Sequence, residues 1–518
     1  MRKRFKGLVA ILVIFIVTAI VLHFQSVSMV SNFLNAKIPS HIDWNSDDIS
    51  VNIFSGTVTF DNLVVELRNR DSDDAHTKLN LTQLHISGLS YTQFIFNDTF
   101  EASKIELENP KIAYRSNIYS SPKKSASKGL VNLLKKIIVD EIAVVNGQFE
   151  IIDTAKEDVA LSVKNFNFTL ESAKTGPEII KQKIPVEYDA YTFDGSKVMV
   201  DTGLFETLKV ESITAQNDAL TIAGVQLKSK FGKQELSKEL KSERDHIDLE
   251  IPKILIKGFQ HGFLEERFSV SIEDFIIENP ILETYRDKLL PDNNMRKKLY
   301  SELLRNLPID LFIDHLQITE GQVVYEELTN RGEPAGKIWF EKIEGDVNNI
   351  QSTSNNDSLT EIGLKSKFMG YSDLELYWSF NINDANDTFL AKGHLSNFNS
   401  DKADSFLRPN LGIATDGVIE QLYFTVTGNA TKSSGHMKMK YRDFKVKVLD
   451  RNRSRINKLL SAIGNIFIND GSKNDTEGYR HGQIEVKRNT SKSFFNYLWL
   501  NVNDGMIDVL TGDGEEKD

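Results

Sequence analysis

The sequence contains no cysteine, which excludes disulfides, thiolate metal sites and cysteine nucleophiles. It also lacks a basic balance: 62 lysines and arginines face 73 aspartates and glutamates, for a net charge of −11. A nucleic-acid binder needs a basic face to displace counterions, so no nucleic-acid partner is expected. Catalytic signatures are missing as well. The ten histidines are scattered, with no H-E-x-x-H and no closely spaced ligand pair, and no G-x-S-x-G, P-loop or G-x-G-x-x-G occurs. The expectation is a chain that is not an enzyme, with no catalytic residue, no metal site and no cofactor.

Long apolar runs are scarce too, and the one present stands at the start. Arg2, Lys3, Arg4 and Lys6 precede an unbroken run over residues 7–22, extended by Phe5 and Phe24. About 20 residues let a helix cross the hydrocarbon layer. Four cations ahead of the run place residues 1–6 in the cytoplasm. With no second run, everything after Phe24 is expected outside. The rival reading is a cleaved signal peptide with its site near Ser26 or Ser28, but no clean small-x-small signal follows a short apolar core.

From Ile49 onward the dominant signal is alternation. Ile49, Val51 and Ile53 alternate, Ser55 and Gly56 make a turn, and Val58 and Phe60 resume, as in a hairpin with one apolar face. A sharper signature recurs, with apolar residues at steps of two, three and two. It runs through Val58, Phe60, Leu63 and Val65, then Leu79, Leu81, Leu84 and Ile86, then Leu161, Val163, Phe166 and Phe168. It returns at Leu220, Ile222, Val225 and Leu227, at Leu249, Ile251, Ile254 and Ile256, and more weakly at Ile338, Phe340 and Ile343. On a helix these positions scatter around the cylinder. On a strand the three-residue step needs a bulge or bend to return the side chains to one face.

The chain also repeats itself. The segment from Leu79 to Gly88 matches Leu249 to Gly258, and Glu108-Asn109-Pro110 matches Glu278-Asn279-Pro280, both at an offset of 170. A leucine-rich patch read as helical follows in each copy, at Leu130, Leu133, Leu134 and Ile137, and at Leu303, Leu304 and Leu307. Asp140-Glu141 with Gly147-Gln148 then matches Asp314-His315 with Gly321-Gln322, at an offset of 174. Recurring carboxylates at a repeat position read as turn or edge residues, and the Asn-Pro pairs as a turn followed by a strand start, where no ladder donor is needed. Two apolar patches at helical spacing close the chain: Ile456, Leu459, Leu460 and Ile463, then Phe494, Phe495, Leu498, Trp499 and Val502. The organisation expected is a cytoplasmic tail (1–6), a transmembrane helix (7–24), a spacer (25–45), a first β repeat (46–175), a connecting β segment (176–245), a second repeat (246–350), a C-terminal β region with closing helices (351–511) and a disordered tail (512–518).

The anchor, the run Asp48-Ile49-Ser50-Val51 leading to Ser55-Gly56-Thr57-Val58, and the repeated Glu-Asn-Pro strand ends resemble the AsmA-like proteins of diderm bacteria. The stretch from Asp416-Gly417 through Gly428-Asn429 and Gly435-His436-Met437 to Tyr441, and the closing Lys492-Ser493-Phe494-Phe495-Asn496-Tyr497-Leu498-Trp499, are similar to a short AsmA-like group of Bacteroidota. The resemblance implies a single-pass protein of the bacterial inner membrane with its body in the periplasm, and a role in phospholipid movement and envelope integrity. It brings no catalytic residues.

The fold class expected is mainly β with a few helices: an elongated, repetitive antiparallel sheet, rolled or grooved, behind one N-terminal transmembrane helix. A sheet with one apolar face must cover it, and the helical patches look too small for these strands. A second sheet, a rolled sheet, a protein partner or acyl chains would have to do so. The candidate groove residues, with phospholipid as the partner, are Val51, Ile53, Val58, Phe60, Val65, Leu81, Ile86, Ile251, Ile256 and Phe340. The basic cluster Lys440, Arg442, Lys445, Lys447 and Arg451 reads as a solvated strand face, or as a contact for anionic headgroups. The alternative function is a scaffold that pairs its strand edges with other envelope proteins. A closed β-sandwich explains the same alternation without lipid.

Overall fold

The computed structural model of the protein describes residues 27–28, 30–32, 38–69, 72–97, 99–118, 136–354, 357–449 and 474–516. The expected tail and transmembrane helix, the patches at Leu130, Leu133 and Leu134 and at Ile456 to Ile463, and Arg451 lie outside the described residues. Among the described residues no helix is long and apolar enough to cross a membrane.

The chain is mainly β, and its 23 described strands belong to one long sheet. Two compact units divide it, one from residues up to 202 with 209–217, the other from 203–208 and 218 onward. The first unit runs β1 (Ile42–Asn45), β2 (Asp48–Asn52), β3 (Thr57–Arg68), β4 (Ala75–Ser87), helix α1 (Tyr91–Phe96), β5 (Thr99–Glu108), β6 (Lys111–Arg115), β7 (Lys136–Asp153), β8 (Asp158–Thr175), β9 (Ala190–Asp201) and most of β10 (Glu206–Gln216). The second runs β11 (Ala219–Ser229), α2 (Lys233–Glu239), β12 (Asp245–Lys257), β13 (Gln260–Leu264), β14 (Arg267–Glu278), β15 (Ile281–Asp287), α3 (Tyr300–Arg305), β16 (Asp310–Leu328) and β17 (Gly336–Gln351). It closes with β18 (Leu359–Phe368), β19 (Ser372–Asn381), β20 (Phe389–Asn399), α4 (Asp404–Leu411), β21 (Ile413–Gly428), β22 (Lys432–Val448), β23 (Arg480–Lys487) and α5 (Phe494–Thr511).

The internal repeat holds residue by residue in the pairing register. Gln83 opposes Glu108 as Lys253 opposes Glu278, and Asn80 opposes Lys111 as Glu250 opposes Ile281. Glu108 lies beside Val145 as Glu278 lies beside Thr319, and Lys111 beside Gln148 as Ile281 beside Gln322. These last pairs correct the expectation of a wholly antiparallel sheet. β5 and β6 pair with β7, and β14 and β15 with β16, in parallel. Parallel neighbours need a crossover rather than a hairpin, and in the second unit α3 lies within it. α3 carries Leu303 and Leu304, with Leu307 just beyond its end. Ile137, read as helical, is instead the second residue of β7.

The two-three-two spacing marks a bend. Asn62, Gly224 and Lys342 occupy the three-residue steps of β3, β11 and β17 in the left-handed conformation, with φ of 48°, 62° and 50°. In β4 and β12 the step falls where the neighbour changes, from β6 to β5 and from β15 to β14. There the Asn-Pro pairs interrupt what would be one strand. Asn109 and Asn279 take φ of 50° and 52°. Their N–H groups donate to the carbonyls of Val145 and Thr319, each at 2.8 Å. The proline carbonyls still accept, from the N–H groups of Gln148 and Gln322, so a residue without a donor leaves no gap in the ladder.

Packing density differs along the chain. The largest core lies in the second unit, where Trp378, Phe389, Ala391, Phe424, Val426, Met437, Met439 and Ile484 meet Phe494, Tyr497, Val509 and Leu510 of α5. In the first unit Val51, Val58, Phe60, Leu63 and Leu81 form a smaller cluster, against which Val27, Val30 and Trp44 pack.

Candidate functional site: an apolar lane across the strands

Paired residues of neighbouring strands share a face, so the register traces which side chains line up. In the first unit one row runs Val58, Ile86, Ile105, Ile142, Leu170, Tyr191, and a second Val65, Leu79, Ile112, Phe149, Val163, Val198. In the second unit a row runs Ile222, Ile254, Ile277, Ile318, Gly345, Leu364, Leu376, Gly393, Phe424, Met437. Another runs Leu227, Leu249, Leu282, Val323, Phe340, Phe368. No charged residue enters these rows. Each unit therefore carries an apolar lane that crosses strand after strand.

The reverse face is charged and self-paired. Lys104 bridges Glu106 at 2.6 Å and Glu141 at 3.1 Å, Lys228 bridges Glu250 at 2.5 Å, and Lys253 reaches Glu278 at 3.6 Å. His315 sits between Asp346 at 2.9 Å and Asp274 at 3.2 Å. Its hydrogen bond to Asp346, reinforced by Asp274, raises its pKa above the ordinary imidazole value. The two faces thus differ sharply in affinity for water, with apolar surface disfavoured by roughly 25 cal/mol per Å² left wet.

Most lane side chains between β5 and β9, and between β11 and β18, are half-buried. They are partly shielded without being sealed. Toward the C-terminus the lane closes. Phe424 lies over Gly393, where a Cβ would meet the ring at 2.1 Å, and α5 covers the last strands.

Of the candidate groove residues, Val51, Val58, Phe60 and Leu81 are buried in the N-terminal cluster, with Ile53, Val65 and Ile86 half-buried around them. Ile256 is buried between Leu220 and Phe275, Ile251 is half-buried opposite Val225, and Phe340 is a half-buried lane residue. The more accessible lane lies on strands the candidate list underused, at residues such as Ile112, Phe149, Ile222, Ile277 and Ile318. Lys440 donates to the carbonyl of Glu477 at 3.3 Å, Arg442 lies 3.9 Å from Glu420, and Lys445 and Lys447 are exposed on β22. Asp140 and Asp314 are exposed, each facing a left-handed residue of the next strand, Ser172 and Asn349. His436 and His481 sit diagonally on β22 and β23, and His481 bonds Asp475 at 2.9 Å. Among the described residues no group of three metal-ligating side chains converges.

Two arrangements were not anticipated from sequence. Asp508 and Asp504 of α5 accept the backbone N–H groups of Gln483 at 2.7 Å and Glu485 at 2.9 Å, capping the outer edge of β23. Their four-residue spacing, in a helix otherwise without charge, is the signal that would have found them. Beside α5, Glu243, Lys288, Asp292 and Lys492 form an ion cluster. Neither a protein-family model nor a curated protein matches the sequence.

Proposed function

We propose that this is a non-enzymatic, inner-membrane-anchored periplasmic protein of the AsmA-like kind, which binds or conveys phospholipid along its apolar lane. The observation that carries the reading is the row of mostly half-buried aliphatic and aromatic side chains that crosses successive strands in each unit, opposite a face of paired charges. A closed core would bury such residues fully. A water-facing surface would not align so many of them. An acyl chain satisfies both conditions, because it covers the lane without requiring any polar partner.

The test is direct. A photo-crosslinking residue in place of Phe149 or Ile222 is expected to capture phospholipid in the cell envelope, and one in place of Lys253 on the charged face is not. Lipid extraction of the purified chain should recover phospholipid. Equal labelling from both faces, or stoichiometric protein partners with no lipid, would reject the reading in favour of a scaffold that acts by protein contacts.

A further inference from the structure

Exposed apolar side chains of the second unit gather around α3 and α5. Tyr300 and Leu303 of α3 are 38% and 47% exposed, and Phe495 and Trp499 of α5 are 53% and 46% exposed. Spacings of three and four residues place each pair on one side of its helix. The rings of Tyr300 and Phe495 lie 6.5 Å apart, which joins the two pairs into one patch. Its backing is firm. Phe494 and Tyr497 sit in the core beneath, and Lys297 is held through its backbone, its N–H donating to Thr490 at 2.7 Å and its carbonyl accepting from Arg488 at 2.6 Å.

The border of the patch is cationic. Arg296, Lys297 and Lys298 immediately precede α3 and are exposed. Arg296 grips Glu302 with two bonds of 2.7 Å, so the acidic residue of this turn is already neutralised, and the exposed Lys297 and Lys298, three and two residues ahead of Tyr300, add positive charge at the start of the helix. Tyrosine and tryptophan prefer the headgroup level of a bilayer, and lysines beside them meet lipid phosphates. We propose that this patch docks on an anionic lipid bilayer, with Trp499, Phe495 and Leu303 entering the interface and Lys297 and Lys298 on the headgroups. The inference is independent of what fills the lane.

The absence of cysteine makes the test clean, since one introduced thiol is the only one to label. The full-length chain with Leu303→Cys, carrying an environment-sensitive dye, is reconstituted into phosphatidylcholine vesicles with and without phosphatidylglycerol, and protein-free vesicles of the same composition are added. The dye is expected to shift its emission to the blue, and to be quenched by lipid-borne quencher, only where phosphatidylglycerol is present. A label at Lys257→Cys, exposed on the charged face of β12 opposite Asp274, should show neither. Trp499→Ser should abolish the shift, and Lys297→Glu with Lys298→Glu, a pair of surface changes that leaves the apolar packing intact, should abolish it too. High salt should weaken it. A dye that stays in water with both vesicle types, or a shift untouched by either variant, overturns the proposal, even where a protein is then found on the patch.

Discussion

Lys492, at the entrance to α5, closes an ion pair on Glu243, 249 residues earlier in the chain. Glu243 also accepts from Lys288 at 2.6 Å, and Lys492 reaches Asp292 at 2.9 Å. The side chain of Glu243 is 5% exposed and those of both lysines 11%. Burial pushes the Glu243 carboxyl up, but the two lysines outweigh it and hold the group below the ordinary carboxylate range. A depressed folded pKa means stability that is present above the unfolded carboxyl pKa and lost as pH falls through the folded one. Protection of the α5 amides, taken relative to the intrinsic exchange rate at each pH, should therefore fall as the medium is acidified below the ordinary carboxylate range. Glu243→Gln leaves the buried Lys288 ammonium without its anion and Lys492 with Asp292 alone, and should cost about 3 kcal/mol at neutral pH, read from the denaturation midpoint. An unchanged midpoint would mean that the clasp holds nothing.

Asn109 and Asn279 should behave alike, because they hold the same backbone position in each repeat. A left-handed conformation costs a residue with a branched or bulky Cβ roughly 1–2 kcal/mol, and asparagine or glycine much less. Asn109→Val is expected to destabilise the first unit by about that amount and Asn279→Val the second. Glycine at either site should be nearly neutral. If valine were tolerated as well as glycine, the bend would not depend on these φ values.

The repeat and the bends were legible because backbone geometry leaves marks in sequence. A period of two that slips by one residue has few physical solutions, and left-handed residues at Asn62, Gly224 and Lys342 realise it, with a register shift in the pairing only at Lys342. The parallel pairings were not legible, since alternation reports which face a side chain takes and says nothing of strand direction. Ile137 was misread as helical for a related reason: short apolar runs satisfy both periods. For the candidate site, the apolar faces of Ile251 and Phe340 could be read directly. That Val51, Phe60 and Leu81 would be sealed could not, because part of their cover comes from Val27, Val30 and Trp44, outside the pattern that singled them out. The Glu243–Lys492 clasp is invisible at a separation of 249 residues.

The edge of β23 should stay monomeric only while α5 keeps its aspartates. An unpaired strand edge invites another strand, and here Asp508 and Asp504 occupy the outward N–H groups of Gln483 and Glu485. Gly482 and Gly505 permit the approach, since a Cβ at Gly482 would lie 2.7 Å from the backbone of Val509. Replacing both aspartates by alanine frees two donors at a cost of about 1–2 kcal/mol each. Amide exchange at 483 and 485 should quicken, and light scattering should report self-association. Retained protection in that double variant would assign the edge's cover to packing alone.

A carboxylate in the middle of the lane distinguishes a conduit from an ordinary core. If Phe149 or Ile222 faced only packed protein, aspartate there would strand a charge in apolar surroundings and should destabilise the unit by several kcal/mol, on the order of 3–5. A lane vacated by its lipid would instead let water reach the new carboxylate, so the fold should lose no more than about 1 kcal/mol, while lipid recovery and crosslinking collapse. The half-buried state of both residues favours the second outcome. Parallel measurement of denaturation midpoint and bound phospholipid on Phe149→Asp and Ile222→Asp decides between them, because a large loss of stability with lipid content unchanged is what a closed interior requires and a lipid-bearing lane forbids.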